Sequence, residues 1–203
     1  MYGSIRKVKD KNAMELTIAA IKGMEKVINL INGKIRTENK FNQITKNILN
    51  NVNYTVFSKN ISLKLNLDLN LENHWLAGFT DAEGSFQIKI INRHDKTEIR
   101  LNFQIDQKKA NILRFIQDFL GGNIGYRKIL DTYSYNSSSF GSAKKVINYF
   151  DHYHLLSSKQ IHYLKWRKAY IIIQNKDHLN ESVIEKIIKL KNTMNRFSET
   201  TAV

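Results

Sequence analysis

Hydrophobic positions along this chain change period several times, and each change marks an element. From Asn73 to Ile90 the run NHWLAGFTDAEGSFQIKI passes from helical spacing (Leu76, Phe79, Thr80, Glu83) to alternation, with Phe86, Ile88 and Ile90 set against Gln87, Lys89 and Ile91. The pattern predicts a short helix followed at once by a half-buried strand. Gly78 and Ala82, four apart, leave a second helix face almost bare, which lets another backbone approach closely. Asn70 is the expected cap with Glu72 in the first turn, and Gly84 the expected stop, since glycine accepts the φ a helix end requires. Glu83 then closes the helix, its carboxylate projecting beyond the last turn.

Downstream, Glu98 to Asp106 alternates again after a turn over Asn92 to Thr97, with Ile99, Leu101, Phe103 and Ile105 inward. The resulting hairpin carries Gln87, Lys89, Arg93, Arg100, Asn102 and Gln104 on one face. Amides and guanidinium groups of this kind pair bidentately with adenine and guanine edges in the major groove, which a two-stranded ribbon can enter. Lys108 to Leu120 predicts an amphipathic helix stopped by Gly121-Gly122. Tyr126, Lys128, Tyr133, Tyr135 and Ser137 are expected to extend the polar sheet face through two further strands. Ser142 is the expected cap of a helix carrying Val146, Ile147 and Phe150. Ser157 or Ser158 caps a longer one through Ile161, Leu164 and Tyr170, with Trp166 and Tyr170 in the core. A last amphipathic helix starts at Asn180, with Glu181 in its first turn and Lys189 and Lys191 near its end.

Before Asn73, strands are expected at Ser4 to Lys9 and Met14 to Ile18, and helices at Gly23 to Ile31 and Asn39 to Leu49. Lys7 and Lys9, alternating with Val8, suit a strand that faces nucleic acid. In the register of the repeat described next, Met14, Leu16 and Ile18 face the ligand as well. Residues 51–70 read as a linker, with a possible short strand at Asn60 to Leu67. An internal repeat sits at a constant offset of 119: Lys26-Val27-Ile28-Asn29 falls on Lys145-Val146-Ile147-Asn148, and Gly3, Ile5, Lys9, Lys40 and Lys46 fall on Gly122, Ile124, Lys128, Lys159 and Lys165. At that offset the counterpart of Glu83 falls before Met1. The expected organisation is a partial first repeat over residues 1–50, the linker, a complete repeat over 71–175, and a C-terminal helix and tail over 176–203.

Composition narrows the partner. With 32 Lys and Arg against 18 Asp and Glu, the net charge of +14 favours a polyanion, because each neutralised phosphate releases counterions. The absence of cysteine excludes disulfides and thiolate metal sites, and the chain has no apolar run long enough to span a membrane. His152 and His154 alternate without a third ligand at convincing spacing and read as surface loop residues. Abundant Asn, Lys, Ile, Tyr and Phe with no proline suggest an AT-rich, mitochondrial coding sequence. The start, Tyr2-Gly3-Ser4-Ile5, lacks the Arg-rich pattern of a transit peptide, as synthesis inside the organelle would explain.

Leu76-Ala77-Gly78-Phe79-Thr80-Asp81-Ala82-Glu83-Gly84 resembles the LAGLIDADG motif of homing endonucleases and intron maturases, with Phe-Thr in place of Leu-Ile and Glu in place of the final Asp. The resemblance implies an α+β fold in which an αββαββα domain, here preceded by a partial second copy, forms a nucleic-acid-binding saddle. In that family two such helices pack side by side, and the last acid of each holds divalent metal over the scissile phosphates. Carried over, Glu83 is the metal carboxylate and Asp81 caps or positions the helix. Gln107 matches a glutamine that positions water, and Lys159 an active-site lysine, with Lys40 its repeat counterpart. The implied function is Mg²⁺-dependent, site-specific hydrolysis of double-stranded DNA by an intron-encoded mitochondrial protein, with a second polypeptide supplying the missing first motif. The alternative is an intron RNA maturase, or an inactive structural protein bound to structured RNA in a mitochondrial assembly.

Overall fold

The computed structural model describes residues 2–11, 13–93, 96–175 and 181–194. It divides into two compact units, Met1–Asp68 and Leu69–Val203.

In the first unit, β1 (Ser4–Lys7) and β2 (Met14–Thr17) pair as an antiparallel hairpin. β1 stops at Lys7, short of the expected Lys9, because the chain turns back there: the Val8 N–H donates to the Ala13 carbonyl at 2.9 Å. Helix α1 (Ile21–Ile31) follows, then α2 (Glu38–Ile44), which runs on as a π-helical turn through Leu49. The expected linker contains a 3₁₀ turn at Val52–Tyr54 and a helical turn, α3 (Thr55–Ser58). No strand forms over Asn60 to Leu67. A single bridge joins Ile35 and Leu65, and the Asn32 side chain ties the segment down through the Ser62 carbonyl at 3.1 Å and the Lys64 N–H at 2.8 Å. Alternation alone does not make a strand where no second strand lies alongside.

The second unit begins with α4 (Trp75–Glu83), followed by β3 (Gly84–Arg93), β4 (Lys96–Gln107), α5 (Asn111–Leu120), β5 (Asn123–Arg127), β6 (Thr132–Ser137), α6 (Phe140–His152), α7 (Lys159–Gln174) and α8 (Glu181–Met194). The strands form one antiparallel sheet in the order β3-β4-β6-β5. Pairing extends through Asn92↔Thr97 and Arg93↔Lys96, so the hairpin turn is tighter than the expected six residues. One sheet face builds the core: the Phe86 ring lies 5.1 to 5.6 Å from those of Phe103, Phe150, Tyr163 and Trp166. Trp166 and Tyr170 are buried as expected, whereas Ile161 and Leu164 on the same helix are exposed. The buried stripe of α7 runs instead through Tyr163, Trp166, Ala169 and Tyr170.

The cap of α6 differs from expectation. Ser139 rather than Ser142 caps α6, its hydroxyl accepting the Ser142 N–H at 3.1 Å, and Ser142 itself is buried. Gly121 and Gly122 do end α5, at φ 73° and 92°. A Cβ on Gly122 would stand 2.6 Å from the Asn136 carbonyl, so close approach as well as φ requires glycine there. Asn180 lies outside the described residues.

Candidate active site and nucleic-acid face

The site is organised by how α4 begins and ends. At its start, Asn73 Oδ1 accepts the Trp75 N–H at 2.9 Å and the Tyr149 hydroxyl accepts the Ala77 N–H at 3.1 Å, so first-turn donors are met by side chains. Asn70, the expected cap, instead accepts the Glu72 N–H at 2.7 Å in the turn before the helix. Leu76, Ala77 and Thr80 face the core, while Gly78, Ala82 and Glu83 are exposed and a Cβ on Gly78 would meet nothing within 4 Å. The bare face is therefore open. At the other end Gly84 is extended, φ −83° and ψ 158°, a backbone any residue adopts. Glycine is needed there for space: a Cβ would lie 2.6 Å from Thr80 Cγ2 and 3.1 Å from the Thr80 carbonyl.

Glu83 is the last residue of α4, and the chain before α7 is fastened beside it. The Asp81 carboxylate accepts the Leu156 N–H at 2.8 Å, the Ser157 N–H at 3.2 Å and the Ser157 hydroxyl at 2.5 Å. Ser157 Oγ in turn accepts the Lys159 N–H at 3.2 Å, and Lys159 Nζ donates to the Thr80 carbonyl at 3.1 Å. Burial lowers the Lys159 pKa, with the charges of Asp81 and Glu83 opposing it. Gly84 pairs with Ile105, which places Gln107 two residues past the junction of α4 and β3. Gln107 is the last residue of β4 rather than lying after it, and its register partner is Tyr133. Lys40 is exposed in the first turn of α2, in the first unit.

Among the described residues no three His, Cys, Asp or Glu side chains cluster as a metal site. Glu83 alone suits a hard cation completed by water and phosphate oxygens, as Mg²⁺ is commonly bound, and does not make an all-protein cage. His154 Nδ1 lies 3.1 Å from the Phe150 carbonyl and the His152 ring packs edge-on to Tyr153 at 4.5 Å.

The sheet face away from the core is polar and internally bonded. Register places Gln87 opposite Asn102 and Lys89 opposite Arg100, with Gln104 between Ser85 and Asn136. Gln87 Nε2 donates to Gln104 Oε1 at 3.2 Å, and Asn102 Nδ2 to Asn136 Oδ1 at 3.0 Å. Gln104 Nε2 reaches both Asp106 oxygens, at 2.9 and 3.1 Å, and Arg127 donates to the same carboxylate at 3.1 Å. Arg100 forms a bidentate pair with Glu98, at 2.6 and 3.1 Å.

The LAGLIDADG endonuclease family model matches residues 76–170. Residues 76–170 are thus a LAGLIDADG domain. It is 64% identical over 188 residues to the uncharacterised cox1 intron-2 37.2 kDa protein of Schizosaccharomyces pombe, covering 93% of this chain and 58% of that protein. It is 29% identical to the intron-encoded DNA endonuclease aI3 of Saccharomyces cerevisiae, covering 85% of this chain and 51% of that one. The chain thus spans little more than half the length of these relatives. Among solved structures, the LAGLIDADG homing endonuclease I-GzeII in complex with its DNA target is similar at 28% identity and TM-score 0.56, over 61% of this chain and 45% of that one. The DNA-bound I-SmaMI shares the fold over 96% of this chain and 80% of its own, at TM-score 0.73 and 22% identity.

Within the LAGLIDADG domain, Gln87, Lys89, Arg100, Asn102 and Gln104 share the polar face as expected. Tyr126, Tyr133 and Tyr135 do not. They fall in the register rows of Ile105 and Gln107, on the side of the helices, and Tyr135 is fully buried. A one-residue shift in phase moves a strand's side chains to the other face, and only pairing with β4 sets the phase of β6. Lys128 lies just past β5, and Arg93 is the last residue of β3. Asp106, Arg127, Ser134 and Asn136 occupy the polar face in place of the tyrosines. The alternation within Thr132–Ser137 could have indicated them had the serines and asparagine been weighed above the aromatic rings.

The offset of 119 extends to strand register. Ser4↔Thr17, Ile5↔Leu16, Arg6↔Glu15 and Lys7↔Met14 correspond to Asn123↔Asn136, Ile124↔Tyr135, Gly125↔Ser134 and Tyr126↔Tyr133. Lys7, Met14 and Leu16 therefore correspond to positions on the helix side of the sheet, not the ligand side, and Lys9 lies in the turn. Ile5, Met14 and Leu16 are 63% to 69% exposed, although their counterparts Ile124, Tyr133 and Tyr135 pack in or against the core.

Proposed function

We propose that this chain is the larger part of a mitochondrial, intron-encoded homing endonuclease that hydrolyses double-stranded DNA with Mg²⁺. The observation that carries the proposal is the end of α4: an exposed Glu83 beside an open Gly78/Ala82 face, with Lys159 tethered to the same turn through Thr80. Glu83 would hold the cation, which supplies Lewis acidity and a more acidic bound water. Lys159 offsets charge on the phosphate, and Gln107 orders the water that attacks phosphorus as the bond to the leaving oxygen breaks. Lys89 and Arg100, with Arg93 and Lys128, contribute to attraction of the backbone, whereas Lys7 and Lys9 are not retained as ligand-face contacts. Tyr126, Tyr133 and Tyr135, on the helix side of the sheet, are not retained as contacts.

One helix supplies one carboxylate, and cutting both strands takes two. In residues 1–50 the apolar side chains of Ile5, Met14 and Leu16 are exposed, whereas the positions 119 residues on are packed in or against the core. A segment carrying a first motif helix, provided by a second polypeptide, would complete the first unit, with Lys40 as the second lysine. The RNA maturase and structural alternatives have no observation that favours them over DNA cleavage.

Glu83→Gln tests the reading. The variant is expected to lose metal-dependent cleavage, assayed with a motif-bearing fragment supplied, while binding duplex DNA within a few-fold of the parent. Undiminished cutting would remove Glu83 from the chemistry.

A further inference from the structure

Two amides that suit base recognition by residue type are already occupied. Asn102 is 3% exposed and Gln104 9%. Asn102 donates to Asn136, and Gln104 accepts from Gln87 while donating to Asp106. Among the groups the polar face offers outward is a pair that Gln104 supports, Arg127 and Asp106. Their side chains are 41% and 40% exposed, with Arg127 Nη1 3.1 Å from Asp106 Oδ2. Arg127 lies on the outermost strand and Asp106 two strands inward, so the guanidinium reaches across β6 at the row of Ser134. The residue beside that reach on β5 is Gly125, where a Cβ would meet nothing within 4 Å; this leaves room above the pair.

A half-exposed ion pair adds little to stability. A carboxylate is also a poor neighbour for phosphate, yet Gln104 fixes this one on a face otherwise suited to a polyanion. Its chemistry suits the amino groups of the major groove. A carboxylate only accepts, and cytosine presents the N4 amine; the adjoining guanidinium donates two parallel bonds, and guanine presents O6 and N7. The two side chains together complement one G·C pair.

Resting on the reading of this chain as a DNA endonuclease, we propose that Arg127 and Asp106 are a specificity-determining pair that reads one G·C base pair in the major groove, with Gln104 as its positioning residue. The full chain is incubated with a randomised duplex library at fixed salt, bound duplexes are separated by gel shift and sequenced, and Asp106→Asn, Arg127→Lys and Gln104→Ala are run beside the parent. The parent is expected to enrich G·C at one position by roughly 5- to 150-fold, the range of one good bidentate contact. Asp106→Asn and Arg127→Lys lose that enrichment and keep the preferences elsewhere. Gln104→Ala weakens it at the same position, and Gln104→Glu, whose carboxylate cannot donate to Asp106, does not restore it. Far-ultraviolet circular dichroism of each variant confirms the fold, and the isosteric Asp106→Asn carries the conclusion if another variant fails to fold. A uniform fall in affinity with an unchanged base profile would make Arg127 a phosphate contact and overturn the pair. A parent that binds duplexes without preference at any position overturns it as well, whereas a parent that binds no duplex even with a motif-bearing fragment supplied rejects the endonuclease reading itself.

Discussion

The Tyr149 hydroxyl on α6 accepts the Ala77 N–H of the motif helix at 3.1 Å and donates to the Asn73 carbonyl at 2.5 Å. A residue remote in sequence thus performs the work usually left to a local cap, and it fixes where the helix that carries Glu83 begins. Tyr149→Phe leaves both backbone groups without that partner at a partly buried site. The expected cost is about 1–3 kcal/mol, measured by urea unfolding of the full chain. A smaller change would mean that water replaces the hydroxyl.

Burial of tyrosines also predicts how stability depends on alkaline pH. Tyr135, Tyr149 and Tyr163 all have pKa values raised above the ordinary 10.0, in each case chiefly by desolvation. A folded-state pKa above the unfolded value means that the contribution is complete below pH 10 and is lost as pH rises beyond it towards the folded value. Urea midpoints are therefore expected to be steady in this respect up to about pH 10 and to fall above it, with phenolate absorbance from these residues appearing only as the chain unfolds. Phenolate absorbance from all tyrosines at ordinary pKa in the folded protein would contradict the packing.

At the other end of the motif helix, Gly84 and Thr80 make a pair that mutation can separate. Gly84→Ala has no backbone obstacle, since φ is −83°, but its Cβ would stand 2.6 Å from Thr80 Cγ2. Overpacking of this kind costs about 1–3 kcal/mol. Adding Thr80→Ser removes the methyl and should recover part of the loss, leaving the contacts to the Thr80 carbonyl at 3.1 Å and Phe103 at 3.2 Å. A double-mutant cycle in urea reads the coupling. Additive effects would place the strain in the backbone after all.

How much was legible in sequence follows the range of the interaction. Periodicity located α4, β3, β4 and α1, because a helix or strand face is written in successive residues. The offset of 119 extended to register, since both hairpins repeat one local pattern. What escaped depended on pairing between distant strands or on a single side chain's partner. The phase of β6 placed Tyr135 in the core and Asn136 on the polar face; alternation within Thr132–Ser137 separates the two sets, and pairing with β4 fixes which of them faces the core. Ser139 and Ser142 are both suitable caps, and the structure uses the one three residues earlier. The Asp81 to Ser157 contact and the Lys159 to Thr80 contact join α4 to α7 across more than 70 residues of sequence, so only the motif's resemblance suggested that these parts meet.

The open side of the first unit gives the remaining prediction. In β1 and β2, Ile5 and Leu16 are register partners and Met14 pairs with Lys7, and the three apolar residues are 63% to 69% exposed. Their counterparts in the second repeat are covered because β6 pairs with β4 as well as β5 and the sheet packs against helices. β2 pairs only with β1 among the described residues, and an unpaired edge beside exposed apolar side chains favours addition of another strand. If a motif-bearing polypeptide completes this unit, Leu16→Gln should leave the isolated chain's unfolding midpoint nearly unchanged, since the side chain it replaces is exposed. The same change should weaken association with that polypeptide by about tenfold or more, given the area of a leucine side chain left unburied. Light scattering and titration of the two chains measure it, with double-strand cleavage as the second readout. Equal association by parent and variant would place the partner elsewhere, and a monomer of this chain that cuts both strands unaided would show that no partner is required.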